Sequence, residues 1–300
     1  MMKRLVVLIV IMAMPILGYT QDWMTDLNIA KRLASIQNKM LFMMWEESTY
    51  QPLPVFVEDL KGKKIFIENM FENEAVNQLI WDHFVPVIVN ESQYAELYDQ
   101  IDGKRSKMYM DKFNDDSIKI MDVNGNILNS DLRFDAILNL SRFIREYYLD
   151  TSFLKGELSN YTQQKDFNTA FRLASKYIDT AIFFTSNLKL EMIDLSTIYI
   201  DETARLLDEE NPDNKVELQQ KLDLLKVKQD LVLYKRRKVL RQLKKIEQNN
   251  IYKTNEYLVA FLYFSVYVML EDEQNASQWR SQLSPADINK TNAIKKGMDD

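Results

Sequence analysis

The hydrophobic patterning of this 300-residue chain changes period near Asp150, and that change limits the fold more than any single motif does. Before it, apolar runs of strand length alternate with amphipathic stretches; after it, apolar residues recur at helical spacing. Lys39 to Trp45 (KMLFMMW) and Phe84 to Val89 (FVPVIV) are continuous apolar runs and read as buried strands. Asp26 to Asn38, Glu74 to His83, Ser92 to Ile101 and Phe134 to Tyr148 read as helices. After the punctuation of Pro52 and Pro54, Val55 to Val57 and Lys64 to Glu68 form an extended excursion or hairpin across Lys61-Gly62. Ser117 to Val123 is a strand that turns at Asn124-Gly125 into Asn126 to Leu128. The order is αβ(insert)αβαββα, an α/β arrangement over residues 21–150.

Residues 151–300 read as an all-α array. Asp166 to Phe184 sets Phe167, Ala170, Phe171, Ala174, Tyr177, Ile178 and Ala181 on one helical face. With Leu190 to Glu209 as an antiparallel partner ending at Asn211-Pro212, it resembles a tetratricopeptide pair, although no second copy follows at the expected period. Asn214 to Asn249 reads as one long helix whose second half carries Lys235, Arg236, Arg237, Lys238 and Arg241, followed by Lys244 and Lys245. Such a basic stripe suits a solvated face near a helix C-terminus; the alternative is contact with anionic phospholipid or an acidic partner. Tyr257 to Leu270 is apolar nearly all round, but it is shorter than the roughly 20 residues a membrane span needs and reads as a buried central helix. Ser277 to Leu283 and Pro285 to Lys296 read as short polar helices.

Residues 1–20 carry the pattern of a signal peptide: Lys3-Arg4, an apolar run from Leu5 to Leu17, and small residues at Gly18 and Thr20 before Gln21. Export to the periplasm or the extracellular space is the expectation; an uncleaved anchor is the other reading, and a lipoprotein anchor is excluded because there is no cysteine for it. Loss of Lys3 and Arg4 takes the net charge from −6 to −8, which gives no general attraction to nucleic acid. Asn-x-Ser/Thr sequons at Asn90, Asn139, Asn160, Asn275 and Asn289 reflect the abundance of Asn and matter only in a eukaryotic secretory host.

The residue types set limits on chemistry. With no cysteine, thiol catalysis, disulfide exchange and thiolate metal sites are out of reach. The one histidine, His83, has no Ser-His-Asp set or polyhistidine cluster around it and reads as a packing or surface residue. Six glycines leave little room for a phosphate-binding loop. No catalytic, cofactor-binding or metal-ligating set is expected.

Three segments carry a family resemblance. Asn38 to Trp45 sits as a first central strand after a helix; Glu74 to Asn90 is a helix and the strand after it; Ile118 to Ile127 is a late strand with an Asp-x-x-Gly hairpin. Together, from Asn28 to Arg145, they resemble the thioredoxin superfamily, particularly its exported thioredoxin-like branch. The resemblance implies an active site after the first strand, where the family has Cys-x-x-Cys at a helix N-terminus. Here that place holds Glu46-Glu47-Ser48-Thr49-Tyr50-Gln51. The family's cis-proline position falls at Asp115, Asp116 or Ser117, none of them proline. The implied protein is therefore redox-inactive, and binding of a protein or peptide is the leading expectation. The candidate surface is Trp45, Glu46, Glu47, Tyr50, Asp115, Asp116 and Ser117. Two alternatives stand beside it: a carboxylate- or metal-dependent enzyme at the same edge, and an envelope component resting on anionic membrane.

Overall fold

The computed structural model describes residues 22–130, 136–184 and 186–299, without the side chains of residues 186 and 299. The expected leader lies outside them, as does the start of the helix expected from Phe134.

Local signals account for the first elements. Helix α1 (Leu27–Gln37) is capped by the Asp26 carboxylate, which accepts from the amides of Asn28 and Ile29, and it ends at Asn38 in the left-handed conformation. Strand β1 (Met40–Trp45) follows with every residue buried, each such side chain contributing roughly 1.5–3 kcal/mol. Strands β2 (Val55–Glu58) and β3 (Lys64–Ile67) form the hairpin, its turn closed by the Asp59 side chain and by Gly62 at φ 78°. Helix α2 (Glu74–His83) runs straight into strand β4 (Phe84–Val89), the bounds expected from the sequence. Helices α3 (Glu91–Ile101) and α4 (Lys107–Asn114) lead to strand β5 (Lys119–Met121). The turn after β5 spans Asp122 to Gly125 with Gly125 at φ 91°, a three-residue connection rather than a two-residue Asn-Gly turn. Strand β6 (Leu138–Asn139) and helix α5 (Leu140–Tyr147) replace the single helix expected from Phe134 to Tyr148, because Leu138 and Asn139 pair in parallel with β2.

Two small sheets result. In the first, β1 lies between parallel β4 and antiparallel β5; single bridges extend it outward, Met24 to Val87 beside β4 and Ile127 to Met121 beside β5. The second has the order β3-β2-β6. Phe42 of β1 meets Trp23, Phe84 and Phe143 at ring distances of 5.4 to 6.1 Å, which binds α5 to the first sheet.

From residue 155 the chain is helical: α6 (Lys155–Gln163), α7 (Phe167–Ala181), α8 (Ser186–Glu210), α9 (Lys215–Val232), α10 (Arg236–Glu247), α11 (Glu256–Met269), α12 (Glu273–Arg280) and α13 (Pro285–Asp299). The single helix expected over Asn214 to Asn249 is two, broken at Leu233 to Lys235, where Tyr234 takes φ 60° and the Lys235 amide reaches back to the Asp230 carbonyl. Among the described residues no helix is long and apolar enough to cross a membrane.

The halves share one hydrophobic core and a polar seam. Asp122, fully buried in the β5 turn, accepts from the amides of Asn124 and Asn126 and from the hydroxyls of Tyr199 on α8 and Tyr177 on α7. Both Asn124 and Asn126 donate back to Tyr199, at 2.9 and 3.1 Å. The Asp-x-x-Gly turn thus docks the α/β half on the helices instead of facing solvent.

Candidate functional site

At the C-terminal end of β1 the chain makes only one turn of 3-10 helix, Glu47–Thr49. So short a turn aligns too few peptide dipoles to make an anion site of the kind a helix N-terminus provides. The Ser48 hydroxyl donates to Asp116 at 3.1 Å and joins this turn to the loop between α4 and β5. The two expected segments, 46–50 and 115–117, are thereby neighbours.

That loop is organised by Asp115. Its carboxylate accepts from the Ser117 amide at 2.9 Å and the Ser117 hydroxyl at 2.6 Å, and it lies 3.1 Å from Lys119 and 3.6 Å from Lys112. Lys119 also donates to the Asp115 carbonyl, and Lys112 to the Ser117 hydroxyl. Both lysines are buried, Lys119 completely, with its ammonium 5.1 Å from the centre of the Trp45 ring system. Burial draws the Lys119 pKa down to about 8 against the pull of Asp115, with Lys112 repelling from the same side. Burial lowers Lys112 as well. For Asp115 burial favours the neutral form, but the Ser117 hydroxyl and the two lysines outweigh it and hold the carboxyl below its usual range.

Beside this loop lies a cavity of about 390 Å³. Its apolar lining comes from Met44, Leu53, Pro54, Ile118, Leu138 and Phe143. Lys112, Asp115, Asp116, Ser117, Arg142 and Glu146 supply charge and hydrogen-bonding groups, and Tyr147, whose hydroxyl donates to buried Glu191 of α8 at 2.9 Å, connects the wall to the helical half. Asn129 and Asn139 also line the cavity but are spent on structure: Asn129 holds Ile118 and Ile120, and Asn139 caps α5 and donates to Glu58. An apolar chamber with a few placed polar groups suits an organic ligand or a peptide side chain better than a bare ion.

Of the sequence-derived candidates, Asp115, Asp116 and Ser117 line this cavity, whereas Trp45, Glu46, Glu47 and Tyr50 are not among its lining residues. Trp45 is buried; its indole donates to the Phe113 carbonyl at 2.9 Å and packs edge-on against Tyr94 and Phe113. Glu46 and Glu47 are exposed, as is Tyr50, beside the loop. Among the described residues no group of three or more His, Asp or Glu side chains could hold a metal. His83 is a packing residue, its Nδ1 donating to the Leu79 carbonyl at 2.9 Å and its ring edge-on to Tyr148.

The fold engages three cations of the basic stripe. Lys235 and Lys238 pair with Asp230 at 3.1 and 2.7 Å, and Arg236 donates to the Met269 carbonyl at 2.9 Å, closing the end of α11. Arg237, Arg241, Lys244 and Lys245 remain exposed.

Sequence reasoning missed Lys112 and the wall from Ala136 to Tyr147. A signal for Lys112 was present: Tyr109, Lys112 and Phe113 stand at i, i+3 and i+4, which puts the lysine on the buried face of α4. No protein-family model, curated protein or solved structure matches the chain.

Proposed function

We propose that this chain is an exported, redox-inactive, thioredoxin-like protein whose task is binding, and that an extended peptide of a partner protein occupies the cavity beside the Asp115 to Ser117 loop. The observation that carries the reading is the cavity itself, an apolar chamber rimmed by charges of both signs at the end of β1. It fits a peptide that buries one apolar side chain and offers flanking acidic and basic groups to Arg142, Lys112, Asp116 and Glu146. The strand order Met24, β4, β1, β5, Ile127, with β5 alone antiparallel to the rest, supports the thioredoxin-like frame. Absence of cysteine leaves that frame without thiol chemistry. The Asp122 seam and the Tyr147–Glu191 bond tie the α/β half, including the cavity wall at Tyr147, to the helices.

A photoreactive phenylalanine analogue at Leu138, introduced in the native host, tests this. A discrete cross-linked partner is expected, lost when Ala136→Trp fills the cavity mouth and retained in Tyr257→Phe on the far helices. Absence of any adduct, or an adduct that Ala136→Trp leaves intact, overturns the proposal.

A further inference from the structure

The β2–β3 hairpin carries an open edge, because among the described residues β3 pairs only with β2. Natural proteins seldom leave an apolar edge strand uncovered. This one leaves apolar surface open on both faces: Ile65 is 46% exposed and Phe66 53%.

The alternation of the ladder says which backbone groups are free. Register pairs Glu58 with Lys64, Val57 with Ile65, Phe56 with Phe66 and Val55 with Ile67. One step beyond, the Asp59 amide donates to the Lys63 carbonyl at 3.0 Å, so that pair is a hydrogen-bonded one. In an antiparallel ladder such pairs alternate, which makes Val57 with Ile65 and Val55 with Ile67 the bonded pairs. The amides and carbonyls of Lys64 and Phe66 therefore face outward. Continuing the register, Pro54, which has no amide hydrogen, falls opposite Glu68 at another unbonded position, as proline requires.

The side chains along that edge, Lys64-Ile65-Phe66-Ile67-Glu68, are self-complementary: when one copy is turned end for end and matched with a second, apolar residues meet apolar residues and each cation meets an anion. We infer that the partner of this edge is a second copy of the chain, joined through β3 in a two-fold antiparallel pairing centred on Phe66. On the dyad, Phe66 exchanges both of its outward hydrogen bonds with the partner's Phe66. Ile65 then faces Ile67 across the seam, and Lys64 faces Glu68 at both ends, the next outward-facing positions. Neither charge forms an ion pair at home among the described residues: the Lys64 ammonium lies only over the Phe56 ring, 6.0 Å from its centre, while Glu58, opposite it within the hairpin, is held by Arg145 at 2.7 Å and by Asn139. The Phe56 and Phe66 rings, 5.7 Å apart, would meet their copies as one aromatic cluster, and the two three-stranded sheets would become one of six.

Light scattering during size-exclusion chromatography of the full chain, with circular dichroism as a check on folding, tests this. The wild type is expected at twice the mass of one chain. Lys64→Glu and Glu68→Lys each place like charges opposite one another and weaken the dimer about tenfold or more. Their equimolar mixture restores it, since every cross-seam pair between positions 64 and 68 is then again a carboxylate against an ammonium. Because the native chain has no cysteine, Phe66→Cys gives a second readout on a clean background: opposed Cα atoms about 5.5 Å apart are within disulfide reach, so mild oxidation yields a covalent dimer. A wild type that runs as a single chain at high concentration overturns the inference. So does a dimer that neither charge reversal weakens, a mixture that restores nothing, or a Phe66→Cys dimer that oxidation leaves unlinked.

Discussion

Each half of the molecule sets a partly buried aspartate between two lysines, and the triads of Asp179 and Asp115 do different work. In the helical half, Asp179 of α7 pairs with Lys228 of α9 at 2.7 Å and with Lys290 of α13, 111 residues away, at 3.0 Å. In the α/β half, Asp115 pairs with Lys112 and Lys119, only three and four residues distant. A long-range triad fastens three helices to one another. A local triad sets the path of one loop, and that loop forms a wall of the cavity. The physical similarity of the two clusters thus conceals a division of labour: one holds the array together and the other shapes a surface.

The largest effect should come from breaking the long-range triad. Burial works against the charge of Asp179, but the two lysines outweigh it and hold its carboxyl below the usual range; Lys228 in turn is buried and leans on that charge. Asp179→Ala leaves Lys228 buried without its counter-ion and should cost about 3–5 kcal/mol in urea denaturation. Asp115→Ala should cost less, about 1–3 kcal/mol, because the Ser117 hydroxyl still accepts from Lys112, the Asp115 carbonyl still accepts from Lys119, and the adjoining cavity admits water. Equal losses would erase the distinction between the triads. Since both aspartates are held below the usual carboxylate range, both contributions are present above about pH 4 and are lost as the pH falls through the folded-state values.

What could be read in the chain follows the same division between local and long-range causes. Helix α2 and strand β4 match their expected bounds because Asn73 caps the helix through the Val76 amide and the apolar run begins at once after His83. The loop at Asp115 could be placed by counting back from the Asp122 hairpin. The opposite wall could not, since it depends on β6 lying beside β2, a pairing sealed by the Glu58 amide and the Ser141 hydroxyl, 83 residues apart. The break after α9 had no glycine or proline to announce it. A tyrosine is held there at φ 60° by tertiary contact, its hydroxyl accepting from Lys189, whose ammonium also lies 4.4 Å from the ring centre. The seam at Asp122 was visible as a turn, but its tyrosine partners come from α7 and α8 and leave no mark near it in the sequence.

A second prediction concerns pH on the alkaline side and separates the edge triad from its counterpart by titration. Lys119 has a folded-state pKa of about 8 against 10.5 in the unfolded chain. Between those values the unfolded chain binds a proton that the folded chain releases, so stability rises with pH across the window and loses this increment as pH falls towards 8. Its size is about 3 kcal/mol for a shift of this order. Lys119→Met should remove that part of the alkaline rise in urea midpoints measured from pH 8 to 10, while Lys290→Met in the other triad should leave it in place. A Lys119→Met variant with the wild-type slope would mean that the buried ammonium at the edge is better solvated than its packing under Trp45 implies.

The smallest effects belong to α10, where one face divides the two kinds of charge residue by residue. Arg236 closes the C-terminus of α11 with a bond to the Met269 carbonyl, so Arg236→Ala should cost about 1 kcal/mol by orphaning that acceptor. Arg237 and Arg241, exposed one and five residues further on, carry no such duty, and Arg237→Ala or Arg241→Ala should shift stability by less than about 0.5 kcal/mol. Thermal denaturation of the three variants side by side checks this. If Arg237→Ala matched Arg236→Ala, the exposed cations would be bound into the array as firmly as Lys228 is, and the basic face could no longer be described as a mainly solvated surface left over once Asp230 and Met269 have taken their partners.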